Sequence, residues 1–310
     1  MVASLSKNTL EQYGVCYKLW WSYCNDNNYD VFDASVAQVV SFLSELYEKG
    51  ASYGTLNSHR SALSLLLGND LGSNDCIKRL LKGVFRLRPS LPKYSSTWDP
   101  QQVLTHISQW TPNSELSLDK LTKKVVVLLA LCTAHRVQTF SLIKLCNIQI
   151  NDNGVKIIIS DIIKTSGIGR DQPILLLPFF RENITICPAT ALIDYMSMTR
   201  DLRPSSCDHL LITVKRPHKN ATAQSISRWI KQALGASGID VSVFGAHSTR
   251  HAATSAARAA GLSVDQIRKT AGWTVSSQTF AKFYQRPIVN DINFAKSVCL
   301  PLDSNDSESN

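Results

Sequence analysis

The sequence lacks several features that mark common protein classes. None of its eight cysteines forms a CxxC pair, which argues against a zinc site. Met1–Asn8 is polar and has no apolar core, so no signal peptide is predicted. No apolar run approaches the length of a membrane span. We therefore expect an intracellular, reduced protein that needs no metal, cofactor or membrane, and that is nuclear if its source is eukaryotic.

Acidic residues are also fewer than basic ones. The 310 residues include 33 Lys and Arg against 24 Asp and Glu, which gives a formal net charge of +9 and a pI of about 9.1. This balance suits a polyanionic partner, most often nucleic acid, although many basic proteins bind none. Hydrophobic residues make up 44%, enough to bury a core, and the length suits two domains.

The apolar pattern of residues 1–88 predicts a helical bundle. Four stretches carry apolar residues at helical spacing: TLEQYGVCYKLWWSYC, ASVAQVVSFLSELYEKG, SYGTLNSHRSALSLLLG and DCIKRLLKGVFRLR. Gly50 is expected to end the second helix. Trp20 and Trp21 are interpreted as core residues rather than as a surface that stacks on bases. Four short helices of this kind can form an independent bundle.

The segment from Lys78 to Lys93 contains no acidic residue. Its six basic residues are candidates for contacting DNA: Lys78, Arg79, Lys82, Arg86, Arg88 and Lys93. Pro89 and Pro92 interrupt regular structure, so residues 89–98 are predicted to be a basic linker between two domains. From the sequence alone, the segment suits a solvated connector as well as a chain that follows a phosphate backbone.

Residues 99–302 are predicted to form a second domain, followed by a disordered acidic tail at 303–310. Asp99 is expected to cap the first helix, with Pro100 in its first turn. A helical stretch too apolar to be exposed is predicted from LTKKVVVLLALCTAHRVQTFSLIKL. Arg136 follows directly on the buried part of this stretch. Position alone favours an arginine that reaches a carboxylate or the surface over one that awaits an anion.

A β-hairpin is predicted in the middle of this domain. VKIIIS and PILLLPF have strand composition, and the residues between them include Gly167 and Gly169 for the turn and Lys164 near its tip. Two further helices are predicted from CPATALIDYMSMTRDLR and SISRWIKQALGASG, and Ser225 is expected to cap the second. A further short strand is suggested by HLLITV. The predicted fold class is therefore mainly α with a small β-hairpin or sheet (α+β).

The stretch from His247 to Tyr284 is the richest in reactive side chains. HSTRHAATSAARAAG places His247 and Arg250 three residues apart on one face of a helix start. SVDQIRKTAGW starts a helix at Ser263 and leaves Trp273 after a glycine, and SSQTFAKFY carries Tyr284. Taken singly, each of these residues is better explained by capping, packing or a surface ion pair.

Together, these residues resemble the tyrosine recombinase (phage integrase) family. His247-x-x-Arg250, followed after 23 residues by Trp273 and then by Tyr284, resembles the family's C-terminal signature. TAHRVQTFSLIKL is similar to the family's first-arginine helix, and CPATALIDYM to the helix that follows its hairpin. The resemblance covers most of the chain. AHRVQTFSLIKL and the GW…SSQTFAKFY ending look most like the recombinases of eukaryotic DIRS-like and Crypton mobile elements.

The resemblance implies a SAM-like core-binding domain at 1–88 and a catalytic domain that cuts and rejoins DNA through a 3′-phosphotyrosyl intermediate. The implied catalytic residues are Arg136, Lys164, His247, Arg250, Trp273 and Tyr284, the last as nucleophile. Two arginines can hold the non-bridging oxygens of the reacting phosphate, and the Trp273 N–H can reach an oxygen. Lys164 is the candidate acid for the departing 5′ oxygen, and His247 accepts or relays the nucleophile's proton or simply hydrogen-bonds the phosphate. This chemistry needs neither metal nor ATP.

The implied partners are double-stranded DNA and a homo-tetramer on two duplexes, from a monomer or dimer in the free state. Apolar residues in RPIVNDINFAKSVCL predict that this segment docks on a neighbouring protomer. Thr139 stands where the family usually has an acid, and the 11 residues from Trp273 to Tyr284 exceed the common spacing. Two alternatives stay open: relaxation of DNA as in type IB topoisomerases, and a domesticated DNA-binding protein that no longer cuts, which Thr139 slightly favours.

Overall fold

A computed structural model of the chain describes residues 4–68, 70–89 and 93–273. Tyr284, the segment after it and the acidic tail lie outside the described residues. The chain divides into two compact units, the first ending at Pro92 and the second beginning at Lys93. Helices predominate, and one small three-stranded sheet lies in the second unit. The predicted fold class, mainly α with a small sheet, is confirmed.

The four predicted helices of the first unit are confirmed, and a short one, α4, joins them. The helices are α1 (Lys7–Asp26), α2 (Val36–Glu48), α3 (Tyr53–Leu67), α4 (Asp70–Ser73) and α5 (Asp75–Leu87). Ser6, Ser35 and Ser52 start the first three, each accepting a backbone N–H from the first turn. Gly50 follows α2 with φ of +97°, a backbone conformation that glycine adopts readily.

The core of the first unit is built around Trp20. Its ring is fully buried, lies 5.1 Å from the ring of Phe42 and donates Nε1–H to the Val31 carbonyl at 3.0 Å. The neighbouring Trp21 is 58% exposed. Because successive helix residues point about 100° apart, only one of the two can face the core. The core interpretation is therefore confirmed for Trp20 and wrong for Trp21.

Seven helices are described in the second unit. They are α6 (Pro100–Ser108), α7 (Leu118–Thr133), α8 (Val137–Ser141), α9 (Pro188–Thr199), α10 (Ala223–Ala236), α11 (Ser248–Ala259) and α12 (Val264–Thr270). Asp99 and Ser263 cap α6 and α12 as predicted. The predicted cap at Ser225 is wrong. The chain is already helical at Ala223, and Thr222, with extended backbone angles, accepts the N–H of Ser225 at 3.2 Å.

The sheet contains the predicted hairpin and one strand more. Strands β1 (Ile148–Asn151), β2 (Gly154–Ile158) and β3 (Ile174–Pro178) pair antiparallel in that order. The predicted strand in HLLITV is wrong, because this segment forms only isolated bridges at His209 and Ile212. Its backbone groups bond to separate partners instead: Leu210 donates its N–H to the Ile143 carbonyl at 2.8 Å, and Arg203 donates to the His209 and Leu210 carbonyls, both at 2.5 Å.

Helix α7 lies at the centre of the second unit. Every residue from Val125 to Ala130 is buried, and the helix packs against α9, α10, α11 and β3. Thr97 and Trp98, which the sequence placed in the linker, are buried within this unit as well. None of the described helices combines the length and the apolar character needed to cross a membrane.

Lys124 places a charge inside this core. The residue is 1% exposed, and its Nζ donates to the Trp110 carbonyl at 2.5 Å and to Asn113 Oδ1 at 2.8 Å. Asn113 in turn donates to Asp194 Oδ2 at 2.8 Å. Burial lowers the pKa of Lys124 from 10.5 to about 8, against the opposing effect of Asp194.

We predict that Lys124 makes the second unit more stable in mild alkali. Between pH 8 and 10.5 the unfolded lysine keeps a proton that the folded one has lost, so stability rises with pH by at most about 3 kcal/mol. Lys124→Met should remove this rise. Chemical unfolding of both proteins, followed by tryptophan fluorescence across this pH range, measures the difference. Parallel stability curves for the two proteins would contradict the prediction.

Candidate active site

A turn after α7 sets the position of Arg136. The sequence predicted one helical stretch here, but α7 ends at Ala134, which has φ of 50° and ψ of 22°, and α8 begins after Arg136. This left-handed conformation costs an alanine roughly 1–2 kcal/mol. The buried Ala134 side chain packs with Ile267, Ala271 and Trp273, which offsets the cost. The turn directs Arg136 away from the buried helix.

Arg136 is half-buried and directly precedes α8 as its N-cap residue. Within the ranges 4–68, 70–89 and 93–273, its guanidinium makes no hydrogen bond and no ion pair. Of the two interpretations that position alone favoured, pairing with a carboxylate finds no support in the described residues, whereas an arginine that reaches the surface agrees with the partial exposure of Arg136. Thr139, at the place of the expected acid, is 2% exposed and donates its backbone N–H to the Arg136 carbonyl at 2.8 Å.

Arg250 is buried at the start of α11, with 1% exposure. Its Nη2 donates to the Ala271 carbonyl at 3.4 Å, and its guanidinium lies over the Trp273 ring, 4.4 Å from the centroid. Trp273 follows Gly272, whose φ of +68° turns the chain after α12. Stacking on an aromatic face stabilises a guanidinium and fixes its plane. The structure therefore brings Arg250 and Trp273 together.

His247 precedes α11 and stands among positive charges. The residue is exposed, yet the neighbouring protein desolvates the ring and lowers its pKa from 6.5 to about 4. The charges of Arg250, Arg136 and Lys164 lower this pKa further, in that order of effect. Lys164 is exposed in the turn between β2 and β3. Three cations far apart in the sequence thus act on one neutral imidazole.

His135 is a site residue that the sequence analysis missed. It is 4% exposed, and this burial lowers its pKa to about 4. The charges of Arg250 and Arg136 also lower the pKa, whereas a hydrogen bond to the Thr270 backbone raises it. A β-carbon on Gly272 would lie 2.7 Å from His135 Cε1, so the ring packs directly on this glycine. His135 thereby joins the Arg136 turn to the segment that carries Trp273. A histidine directly before Arg136 was the available signal.

The predicted DNA-contacting residues in the first unit share one face of α5. Lys78, Arg79, Lys82 and Arg86 are exposed, opposite the buried Ile77, Leu81 and Val84. Arg88 differs from them. Its guanidinium lies 4.3 Å from the Tyr47 ring centroid and donates to the Ala51 carbonyl at 3.3 Å. Arg88 therefore holds the end of α2, and Lys93 is exposed at the start of the second unit.

A second basic surface was not foreseen. A cavity of about 610 Å³ in the second unit is lined by Lys123, Lys215, Lys219 and Arg228. One carboxylate is present, that of Asp119, which accepts from Lys123 Nζ at 2.6 Å. The basic residues come from α7, α10 and the loop before α10, so their clustering was not visible as a charged run. In the described part of the chain, no group of His, Cys, Asp or Glu is arranged to hold a metal ion.

Three solved structures resemble this chain along most of its length. XerH site-specific recombinase, bound to a palindromic difH substrate after cleavage, gives a TM-score of 0.58 at 15% identity, covering 86% of this chain and 72% of that one. A lambda integrase tetramer bound to a Holliday junction gives 0.51 at 15%, covering 93% and 74%. The Tn1549 transposon integrase in complex with circular intermediate DNA gives 0.53 at 15%, covering 86% of each. At these identities the likeness concerns the fold.

A search of curated proteins finds no significant match. The phage integrase family model matches residues 101–287, which is more than half of the chain and spans all six predicted catalytic positions. This match and the shared fold support the resemblance seen in the sequence. The chain belongs to the phage integrase family.

Proposed function

We propose that this protein cuts and rejoins DNA through a 3′-phosphotyrosyl intermediate, with Tyr284 as nucleophile. The observation that carries the proposal is the family match over residues 101–287 together with the contact of Arg250 with the Trp273 ring, 4.4 Å from its centroid. The charges of Arg136, Lys164 and Arg250 also lie near enough to His247 to lower its pKa. Like charges repel, so such a cluster is costly unless an anion enters it. The negatively charged phosphodiester is such an anion. Because the chain belongs to the phage integrase family, we propose that the phosphodiester is that of DNA.

The two arginines would stabilise the reaction most. Attack on the phosphate builds negative charge on the non-bridging oxygens, and guanidinium groups can hold these oxygens through paired hydrogen bonds. Arg250 is fixed for this task by the Trp273 ring and the Ala271 carbonyl. Arg136 is held by its backbone turn and its guanidinium is uncommitted among the described residues.

His247 and Lys164 would move the protons. A pKa of about 4 leaves His247 neutral at pH 7, so its imidazole can accept a proton from the attacking hydroxyl of Tyr284. Lys164, exposed on the turn between β2 and β3, can reach a substrate outside the protein surface and protonate the departing 5′ oxygen. The phosphotyrosyl bond conserves the energy needed for rejoining.

The proposed partners are duplex DNA and further copies of this chain. The basic face of α5 would contact the DNA backbone, and the cavity lined by Lys123, Lys215, Lys219 and Arg228 offers further cations. A tetramer on two duplexes is proposed by analogy with the lambda integrase assembly on a Holliday junction. Integration or excision of a mobile element of the DIRS-like or Crypton kind, in the nucleus of a eukaryote, is the proposed role.

A second candidate function is DNA binding without cleavage. Thr139 favours it, because a buried threonine stands where the family usually has an acid, and no described carboxylate pairs with Arg136. An arginine without an orienting carboxylate can bind a phosphate and still be poorly aligned for the reaction. Formation of a covalent adduct distinguishes the two candidates.

We predict that the wild-type protein forms a covalent adduct with duplex DNA that carries a nick near the cleavage point. The nick lets the cut strand diffuse away, so the adduct accumulates and resists SDS. Element termini or a random-site pool would serve as DNA. Tyr284→Phe should form no adduct, and Arg250→Ala should slow its formation by about 100-fold or more.

Tyr29→Phe, which removes a half-buried hydroxyl in the first unit, is the matched control and should react as the wild type does. Tight binding by wild type without any adduct would move the non-cutting candidate to first place. An adduct formed by Tyr284→Phe would show that the nucleophile is another residue.

We also predict that the α5 face neutralises DNA phosphates. The slope of log Kobs against log salt concentration is negative. Lys82→Ala with Arg86→Ala should make it shallower by about 2, since each lost phosphate contact removes nearly one unit from its magnitude. Lys7→Ala with Lys18→Ala, which removes the same charge from exposed positions on α1, should leave the slope unchanged. Equal slopes for wild type and both variants would exclude α5 from the interface.

A further inference from the structure

The chain enters the second unit alongside α11. Tyr94 is half-buried there, and its ring meets the His251 ring edge to face, with centroids 5.4 Å apart and planes at 84°. The same ring lies 5.0 Å from the Phe244 ring. His251 lies one helical turn after His247, and their rings also meet edge to face at 5.6 Å. A continuous line of aromatic contacts therefore runs from Tyr94 to the catalytic candidate His247.

Trp98 makes a second contact with the same turn of helix. It is 4% exposed and donates its Nε1–H to Ser248 Oγ at 2.9 Å. Ser248 in turn donates to the Gly245 carbonyl at 2.7 Å. Ser248 directly follows His247 and is two residues before Arg250, so this hydrogen bond fixes the first turn of the helix that carries both.

We propose that Tyr94 and Trp98 are positioning residues that hold His247 and Arg250 in their reactive geometry. The proposal rests on the proposed function, because it assigns both residues to the same reaction. Tyr94 acts on His247 through the His251 ring, and Trp98 acts through Ser248.

The rate of the reaction depends on the alignment of His247 and Arg250 with the phosphate. A displacement of about 1 Å at a reacting group can cost about 100-fold in rate, even when it is caused by a change far from the chemistry. Two buried or half-buried aromatic side chains on one helical turn restrict such a displacement. A residue that merely stabilised the fold would leave the environment of His247 unchanged.

Tyr94→Leu tests the proposal, because it removes the ring at a half-buried position without emptying the core. Tyr94→Phe keeps the ring, and Tyr53→Leu is the matched control, since Tyr53 is half-buried in the first unit and meets Phe85 edge to face at 5.6 Å. Adduct formation is measured at saturating nicked DNA. The His247 imidazole is titrated by NMR in the DNA-free, full-length protein, with its signal assigned from His247→Gln.

Tyr94→Leu should slow adduct formation by about 10-fold with unchanged DNA affinity, because the reacting groups lose their alignment. The pKa of His247 should rise by about one unit as its ring loses packing, while Arg250, Arg136, Lys164 and His251 still face it. Tyr94→Phe and Tyr53→Leu should match wild type in both measurements. Trp98→Phe, which removes the hydrogen bond to Ser248 and part of a buried ring, should slow the reaction in the same direction.

A Tyr94→Leu protein that reacts and titrates as wild type does would overturn the proposal. So would a lowered melting temperature with an unchanged His247 titration, or equal effects in Tyr53→Leu. If wild type forms no adduct, the proposed function fails but the titration still decides this inference. A His247 shift in Tyr94→Leu and none in Tyr53→Leu would then support the positioning role.

Discussion

The placement of Arg136, Lys164 and Arg250 near a single imidazole, that of His247, is the constraint on which the candidate site depends. All three act on His247, and desolvation of the ring together with these three charges lowers its pKa to about 4. The fold holds the cations in place by several separate means. Arg250 lies over Trp273, Arg136 follows a left-handed turn, and Lys164 lies on a turn between strands. Such an arrangement is stable in the absence of DNA only because the surrounding structure fixes it, and it is ready for an anion when one arrives.

Helix α7 is the element from which this arrangement is built. Its buried middle anchors the unit, Lys124 ties its first half to the loop after α6, and its end turns at Ala134 toward the site. His135 then packs on Gly272. This contact holds the segment whose Ala271 carbonyl accepts a hydrogen bond from Arg250. Tyr94 and Trp98 hold the same helix start from the other direction along the chain. The cationic cluster is thus fixed by core packing at some positions and by aromatic contacts at others.

Periodicity and capping residues were enough to predict most helices, the hairpin and the fold class, because those signals are local in sequence. Contacts between distant residues were not predictable in the same way. Thr222 rather than Ser225 caps α10, and HLLITV bonds to Arg203 instead of forming a strand, because tertiary contacts decided both. The predicted site residues carried a family pattern, whereas His135, Tyr94 and the cations around the 610 Å³ cavity carried none. The contacts of Arg88 with Tyr47 and Ala51 likewise join distant parts of the chain, and its role in binding DNA stays a prediction.

The most direct test of the account is the protonation of His247 with and without DNA. We would titrate its imidazole by NMR in Tyr284→Phe, free and bound to a short duplex at low salt. A phosphate held between the arginines supplies negative charge, so the pKa should rise from about 4 by about two units when DNA binds. An unchanged or lower pKa in the complex would mean that no phosphate enters the cluster, and would contradict the central claim.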